Sequence, residues 1–267
     1  MRVHVVADVH GNTEALARAA DGADALLVLG DLINFVDYDN HGGGILGQVF
    51  GADVVGRFAA LRVSGRPGEL GEYARSLWSG LPDPRSTLEN AVRDQYRAMF
   101  GVIANGPPCY LTPGNVDLPH LWPEFLTDGM RMLDGEVLEL GGLRFGFVGG
   151  LPLPASEVAH VPTRRGPWRP YVRPGGEYDA ACAGLDRVDV LCSHVPPSVP
   201  ELTYDVVSRR AEVGSRALLE VIRRDAPRAA LFGHVHQPMS ARARVGRTEC
   251  VNVGHFRHTE RPYVLSW

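Results

Sequence analysis

Residues 2–10, Arg2-Val3-His4-Val5-Val6-Ala7-Asp8-Val9-His10, decide the fold. The apolar run 3–7 is a strand, and it ends abruptly in two polar residues with chemistry of their own, Asp8 and His10. A helical stretch follows over 12–20, then a second apolar strand over 25–29 that ends in Gly30-Asp31. Strand, helix and strand in this order make a βαβ unit with parallel strands. Open α/β sheets hold their ligands in the loops beyond the carboxyl ends of such strands. Asp8, His10 and Asp31 stand in those loops.

The same arrangement recurs further along. A short strand over 110–112 leads into Gly114-Asn115, a strand over 188–192 into Ser193-His194, and a strand over 229–232 into Gly233-His234-Val235-His236. Residues 137–140 and 143–148, joined by Gly141-Gly142, read as a β-hairpin. Residues 214–224 form an amphipathic helix with Leu218, Leu219 and Ile222 on one face. Strands around Ala243 and over 250–253 are expected to finish the sheet together with one over 263–265. The second half is therefore expected to be more antiparallel than the first, and the whole to form two packed sheets.

One stretch breaks this rhythm. Residues of about 37–104 have little strand character, and they are read as a helical insertion within a single domain spanning 1–267. It carries a glycine-rich loop at Gly42-Gly43-Gly44 and helical runs over 54–61, 70–77 and 88–100. Asp83-Pro84 and the Ser86/Glu89 pair, in capping-box spacing, mark the start of the last run.

Composition narrows the function. With 45% hydrophobic and 22% charged residues, the 267-residue chain has the make-up of a globular enzyme. No apolar stretch approaches the ~20 residues of a membrane span, and residues 1–7 read as a first strand and not as a charged leader with an apolar h-region, so secretion is not expected. A cytoplasmic location is expected, with Cys109, Cys182, Cys192 and Cys250 as buried thiols. The net charge of −4 speaks against a polyanionic partner. All 27 basic residues are arginine, so neither a Schiff-base lysine nor a P-loop lysine exists.

Asp8, His10, Asp31, Asn115, His194, His234 and His236 are together the ligand inventory of two adjacent divalent cations. In an extended strand residues two apart share a face, so Asp8 and His10 are expected to reach one cation. Asp31 lies on the neighbouring parallel strand, ~4.8 Å away, where a carboxylate can bridge two metals ~3.5–4 Å apart. Two divalent cations bring four positive charges, the aspartates return two and a hydroxide one. Roughly one positive charge is left to meet an anionic substrate. Mixed imidazole and oxygen ligation suits Mn, Fe, Zn, Co or Ni better than Ca. A metal-bridging hydroxide attacking phosphorus in line, with the metals and Asn115 stabilising the phosphoryl oxygens, is the chemistry such a site supports.

With these residues in place, the chain resembles the calcineurin-like metallophosphoesterase superfamily. The signatures appear as Asp8-Val9-His10, Gly30-Asp31-Leu32-Ile33-Asn34, Gly114-Asn115-Val116-Asp117, Ser193-His194 and Gly233-His234-Val235-His236. The resemblance implies a four-layer α/β/β/α sandwich. It further implies one metal on Asp8, His10, Asp31 and His236, and a second on Asp31, Asn115, His194 and His234. Many members carry His after the Asn, where it helps protonate the leaving group; here the residue is Val116, with Asp117 behind it. Strong phosphoprotein phosphatase activity is therefore not expected, and a phosphodiester or nucleotide-like ester is. Other candidate acids are His41, His120, His160, His258 and, foremost, His255.

Arg164, Arg165, Arg169 and Arg173 cluster with Trp168 and Tyr171 in a Pro/Gly-rich loop. Guanidinium forks grip phosphate and aromatic rings stack on bases, so Arg164, Arg165 and also Asn34 are candidate substrate contacts. Tyr204, Trp122 and His120 are candidates for the mouth of the site. The rival readings are a non-catalytic scaffold of the same fold and a nuclease of short single strands. The intact ligand set opposes the first and the acidic charge the second.

Overall fold

The computed structural model describes residues 1–65, 67–158 and 167–267. Its strands are β1 (Arg2–Val6), β2 (Ala25–Leu29), β3 (Cys109–Thr112), β4 (Met130–Met132), β5 (Glu136–Leu140), β6 (Leu143–Val148), β7 (Leu151–Leu153), β8 (Val172–Pro174), β9 (Val190–Ser193), β10 (Tyr204–Asp205), β11 (Arg210–Ala211), β12 (Ala229–Phe232), β13 (Arg242–Val245), β14 (Thr248–Asn252) and β15 (Tyr263–Ser266). Its helices are α1 (Thr13–Leu16), α2 (Gly44–Phe50), α3 (Ala52–Val63), α4 (Pro67–Ser79), α5 (Pro84–Ile103), α6 (Ala155–Val158), α7 (Gly175–Gly184), α8 (Pro200–Thr203), α9 (Arg216–Asp225) and α10 (Phe256–Thr259).

One sheet has the order β15-β1-β2-β3-β4 and the other β13-β14-β12-β9-β6-β5. Strand periodicity explains why they stack. Val3, Val5 and Ala7 alternate with Val6 along β1 and just beyond it, and Leu27 and Leu29 alternate with Leu26 and Val28 along β2. The first set meets Phe145, Phe147, Val190, Cys192 and Leu231 of the other sheet in a central core. The second set packs outward against Val92, Tyr96, Met99 and Phe100 of α5. On the far side Leu191, Ala230, Phe232 and Cys250 meet Tyr178 and Cys182 of α7 and Leu218, Val221 and Ile222 of α9. Three apolar layers separate four layers of backbone, which is the α/β/β/α sandwich. Each Val, Leu, Ile or Phe side chain among them contributes about 1.5–3 kcal/mol on burial.

The strand directions agree with the expected contrast between the halves: the pairings among β1–β4 are all parallel, while β5–β6, β10–β11, β13–β14 and β15–β1 are antiparallel. The second sheet is parallel through its middle, with β14, β12, β9 and β6 running together, and antiparallel only where β13 and β5 close its edges. The last strand joins the first sheet instead, antiparallel to β1. Helix α1 is a single turn, and the chain beyond it continues in turns bonded three residues back, as from Arg18 N to Ala15 O. At the start of α5 the cap is Asp83, which accepts from Ser86 N, with Pro84 in the first turn. Ser86 is thus not the cap, and Glu89 pairs with Arg85 and Arg93 on the helix surface. The described residues of the segment 44–103 form four helices and no strand. Among the described residues no helix is long and apolar enough to cross a membrane, and all four cysteines are free and buried.

Candidate metal centre and its cavity

The loops after β1, β2 and β3 of one sheet and after β9 and β12 of the other meet at one end of the sandwich. They bring together the seven side chains singled out in the sequence. Asp8, Asp31 and His194 place ligand atoms within 4.8 Å of one another, and so do His10, His236 and His255. Asp31 lies between the groups, with Oδ1 3.5 Å from His194 Nε2 and Oδ2 3.9 Å from His10 Nε2. Asn115 Oδ1 is 3.0 Å from His194 Nε2. His236 Nε2 is 3.7 Å from Asp8 Oδ1, and the rings of His194 and His234 cross at 5.1 Å.

The local backbone achieves this differently from an extended strand. Asp8 and His10 have φ of 56° and 43°, and Asp31 and His234 have 55° and 70°. Half of the eight described non-glycine residues in the left-handed region are therefore in this cluster. Such backbone is strained and is held by its surroundings. Here the loops hold each other: Asp8 N donates to Gly30 O at 3.1 Å and His10 N to Asp31 O at 2.9 Å. Two glycines allow the close approach. A Cβ on Gly114 would collide with Asp31, and one on Gly233 with Ala7 and Asp8.

Proton positions test whether cations fit. His194 Nδ1 sits 2.9 Å from the Leu29 carbonyl, which can only accept, so Nδ1 carries the hydrogen and Nε2 the lone pair. That lone pair faces the oxygens of Asn115 and Asp31. His10 repeats the pattern, with Nδ1 donating to Ile33 O at 3.2 Å and Nε2 facing His236 Nε2 at 3.2 Å. Asp8 Oδ1, His234 Nε2 and His255 Nε2 are buried with no hydrogen-bond partner. Acceptors that converge on one another in a buried site are costly unless positive charge lies among them. The residues therefore fit a pair of cations.

The ionisation states agree. Burial holds His10 below the ordinary imidazole value, and burial with the neighbouring His194 brings His234 to about 3, so both are neutral and ready to ligate at pH 7. Burial opposes the charge on Asp8, but the contact with His236 outweighs it and keeps the carboxyl ionised. Burial also disfavours charge on His236, and the contact with Asp8 reverses the balance and raises its pKa.

The other candidates divide. His255 lines the cavity, its ring stacked on His236 at 3.8 Å; burial brings it to about 2, so it stands there as a neutral imidazole. His258 also lines the cavity, while His41 and His120 do not. Asn34 lines it with its amide donating to Asp37 Oδ2 at 3.0 Å. Asp117 is buried behind the centre. Its Oδ2 accepts from Asp31 N and Gly114 N at 2.9 Å each, and its Oδ1 from Leu32 N at 3.0 Å and Tyr96 Oη at 3.3 Å.

Arg164, Arg165 and His160 lie outside the described residues. Arg173 is not a phosphate fork: it is bound to Asp134 at 2.7 Å, as is Tyr171 at 3.0 Å. Trp168 does line the cavity, stacked on Phe35 at 4.5 Å. Trp122 is fully buried against Tyr96 and Phe100 and is a core residue instead of one at the mouth. Tyr204 is not among the lining residues either. Arg257 was not singled out in the sequence, yet it lines the cavity, bonds Asp37 at 2.6 Å and donates to the His10 carbonyl at 3.2 Å. No local motif marks it, because its partners are more than two hundred residues away.

Comparison with known proteins agrees with this geometry. The model of the calcineurin-like phosphoesterase family matches residues 1–238. The chain belongs to that family and is a metal-dependent phosphoric ester hydrolase. Among solved structures, TT1561 of Thermus thermophilus aligns with a TM-score of 0.52 at 13% identity, over 99% of this chain and 98% of that one. A candidate 5'-nucleotidase from Staphylococcus aureus gives 0.43 at 15% identity, over 95% of this chain and 48% of that one. GAP50, the anchor in the inner membrane complex of Plasmodium, gives 0.38 at 10% identity, over 95% and 71%. No curated protein sequence matches the chain.

Proposed function

We propose that the cluster is a dinuclear centre that hydrolyses a phosphodiester or a nucleotide-like phosphate ester. Asp8, His10, Asp31 and His236 hold one divalent cation, and Asp31, Asn115, His194 and His234 hold the other. The observation that carries this reading is the set of lone pairs turned toward one another at 3.0–3.2 Å by tautomers fixed from behind. Bound there, the metals supply an activated water nucleophile and positive charge for the phosphoryl oxygens. The chain's own residues supply the rest. The carbonyls of Leu29 and Ile33 orient the two imidazoles, a role that outer partners of metal ligands commonly play. Asn115 offers a neutral amide to the phosphate. His255, neutral beside His236, offers the leaving oxygen a hydrogen bond and no full proton charge.

Two observations favour a good leaving group. Val116 stands beside Asn115 in the cavity where an imidazole acid would be useful, and Asp117 spends its oxygens on backbone N–H groups. Hydrolysis of activated diesters needs such an acid least. The native metals are drawn from Mn, Fe, Zn, Co and Ni. The scaffold alternative is disfavoured by the complete ligand set. Metal analysis of purified protein combined with kinetics decides between them. We expect about two transition metals per chain and a higher kcat/KM on bis-p-nitrophenyl phosphate than on p-nitrophenyl phosphate. Metal-loaded protein that cleaves neither ester would leave the scaffold reading in possession.

A further inference from the structure

The cavity does not end at its polar side chains. It encloses about 1240 Å³, beyond the roughly 300–1,000 Å³ of common small-molecule sites. A phosphate and its cations occupy only the polar end. The remainder opens between the helices of residues 44–79 and the strand pair β7–β8; its buried and half-buried walls are apolar, while the polar residues that line it there, Tyr38, Asp39, Arg62, Ser156 and Glu157, are exposed. Leu46 of α2, Phe58 of α3, and Leu77 and Trp78 of α4 form one side; Leu153 and Val172 form the other. The two sides belong to different cores, Leu46 and Trp78 to the outer layer of the first sheet and Leu153 and Val172 to that of the second. The space is therefore a seam between cores that no side chain of the described residues fills.

The chemistry of these walls selects the occupant. A nucleobase needs hydrogen-bond partners for its edge, and Leu46, Phe58 and Leu77 provide none. A base held between two rings needs them roughly 7 Å apart, two contact distances. The ring pair at the junction, Phe35 and Trp168, is stacked on itself at 4.5 Å and 21° and offers no such slot. Methylene groups have no polar edge to satisfy and gain from every apolar contact. We infer, building on the phosphoesterase reading above, that the substrate's ester group is a long aliphatic chain. It lies in the seam between α2–α4 and β7–β8, with its phosphate at the metal centre.

Calorimetric titration of n-alkylphosphonates into the metal-loaded protein tests this without requiring turnover, because the C–P bond resists hydrolysis. Methyl, butyl and octyl phosphonates are compared, each as a monomer in solution. Kd is expected to fall about two- to fourfold per methylene that enters the seam. Phe58→Gln and Leu77→Gln, half-buried positions on separate helices, are each expected to cut the octyl-to-methyl affinity ratio by about tenfold. Circular dichroism confirms that each variant is folded, and the wild-type series decides by itself if neither is. Equal affinity for methyl and octyl phosphonate in the wild type would overturn the inference. So would a chain-length gain that survives both substitutions. Failure of the underlying reading is distinct: metal-loaded protein that cleaves neither bis-p-nitrophenyl phosphate nor p-nitrophenyl phosphate refutes the esterase, while calorimetry still reports whether a chain enters the seam.

Discussion

Asp117 serves the centre without facing it. Its two oxygens collect three backbone N–H groups from the loops after β2 and β3, the loops that carry Asp31 and Asn115. The Tyr96 hydroxyl donates to the same carboxylate and accepts from Leu118 N at 2.8 Å, which extends the tie to α5. A carboxylate suits this role because it only accepts, and every neighbour donates. Asp117→Asn would turn an NH₂ group toward donors and leave at least one buried N–H unpaired. The expected cost is about 3 kcal/mol in urea unfolding, with weaker metal binding as the two loops separate. A stability within about 0.5 kcal/mol of wild type, the range of surface substitutions, would refute that role. The sequence showed Asp117 only as part of a motif; its partners lie as many as 86 positions away.

Elements differ in how far local sequence determines them. The buried strands were legible because apolar alternation and a polar terminus coincide, as in residues 2–10. Helix α1 stopped after one turn although its apolar pattern runs on, since the chain must turn at Gly22 to enter β2. Helix α2 was hidden behind three glycines, and its start depends on Ile45 N and Leu46 N donating to Asn34 O and Phe35 O, a contact between segments. The seven candidate ligands were legible as a set because each follows a strand; the left-handed backbone of Asp8, His10, Asp31 and His234 was not, because it arises where loops from different strands meet. Helix α10 shows the same dependence. Its Arg257 pins Asp37, at the start of the helical segment, and the carbonyl of His10. Burial disfavours the Asp37 carboxylate, but hydrogen bonds from Asn40 N and Arg257 outweigh it and hold its pKa below the ordinary value. The folded state therefore binds this proton less readily than the unfolded chain. The resulting stability is complete above the unfolded carboxyl value of ~3.9 and is lost as pH falls through the lower folded one. Arg257→Met is expected to cost about 1.5–3 kcal/mol at pH 7, a gap that narrows below about pH 4. Urea titrations at pH 7 and pH 3 check it; a gap of constant size would mean that Arg257 acts through packing alone.

On the scale of the whole molecule, the centre is a clasp between two sheets. Asp8, His10, Asp31 and Asn115 leave the first sheet, while His194, His234 and His236 leave the second. The packing between the sheets is apolar, so their polar connection is concentrated at this end. Without cations the clasp is poorly satisfied, because lone pairs face lone pairs and carboxylate charge is buried. Cations bound by both halves favour the folded state over the unfolded chain by mass action, by about 2.7 kcal/mol at a free concentration one hundred times Kd. For a chain of this size that raises Tm by about 5–10 °C. Scanning calorimetry with Mn²⁺ or Zn²⁺ against chelator-treated protein should show the shift, and it should shrink on acidification as His236, whose pKa is raised, protonates and competes for the site. His194→Ala removes one of the three ligands that the second sheet contributes, and is expected to reduce the gain by weakening the cation it shares with Asp31, Asn115 and His234, while His236 still ties the other cation to that sheet. A metal-dependent shift that survives His194→Ala at full size would place the stabilising ion elsewhere on the molecule.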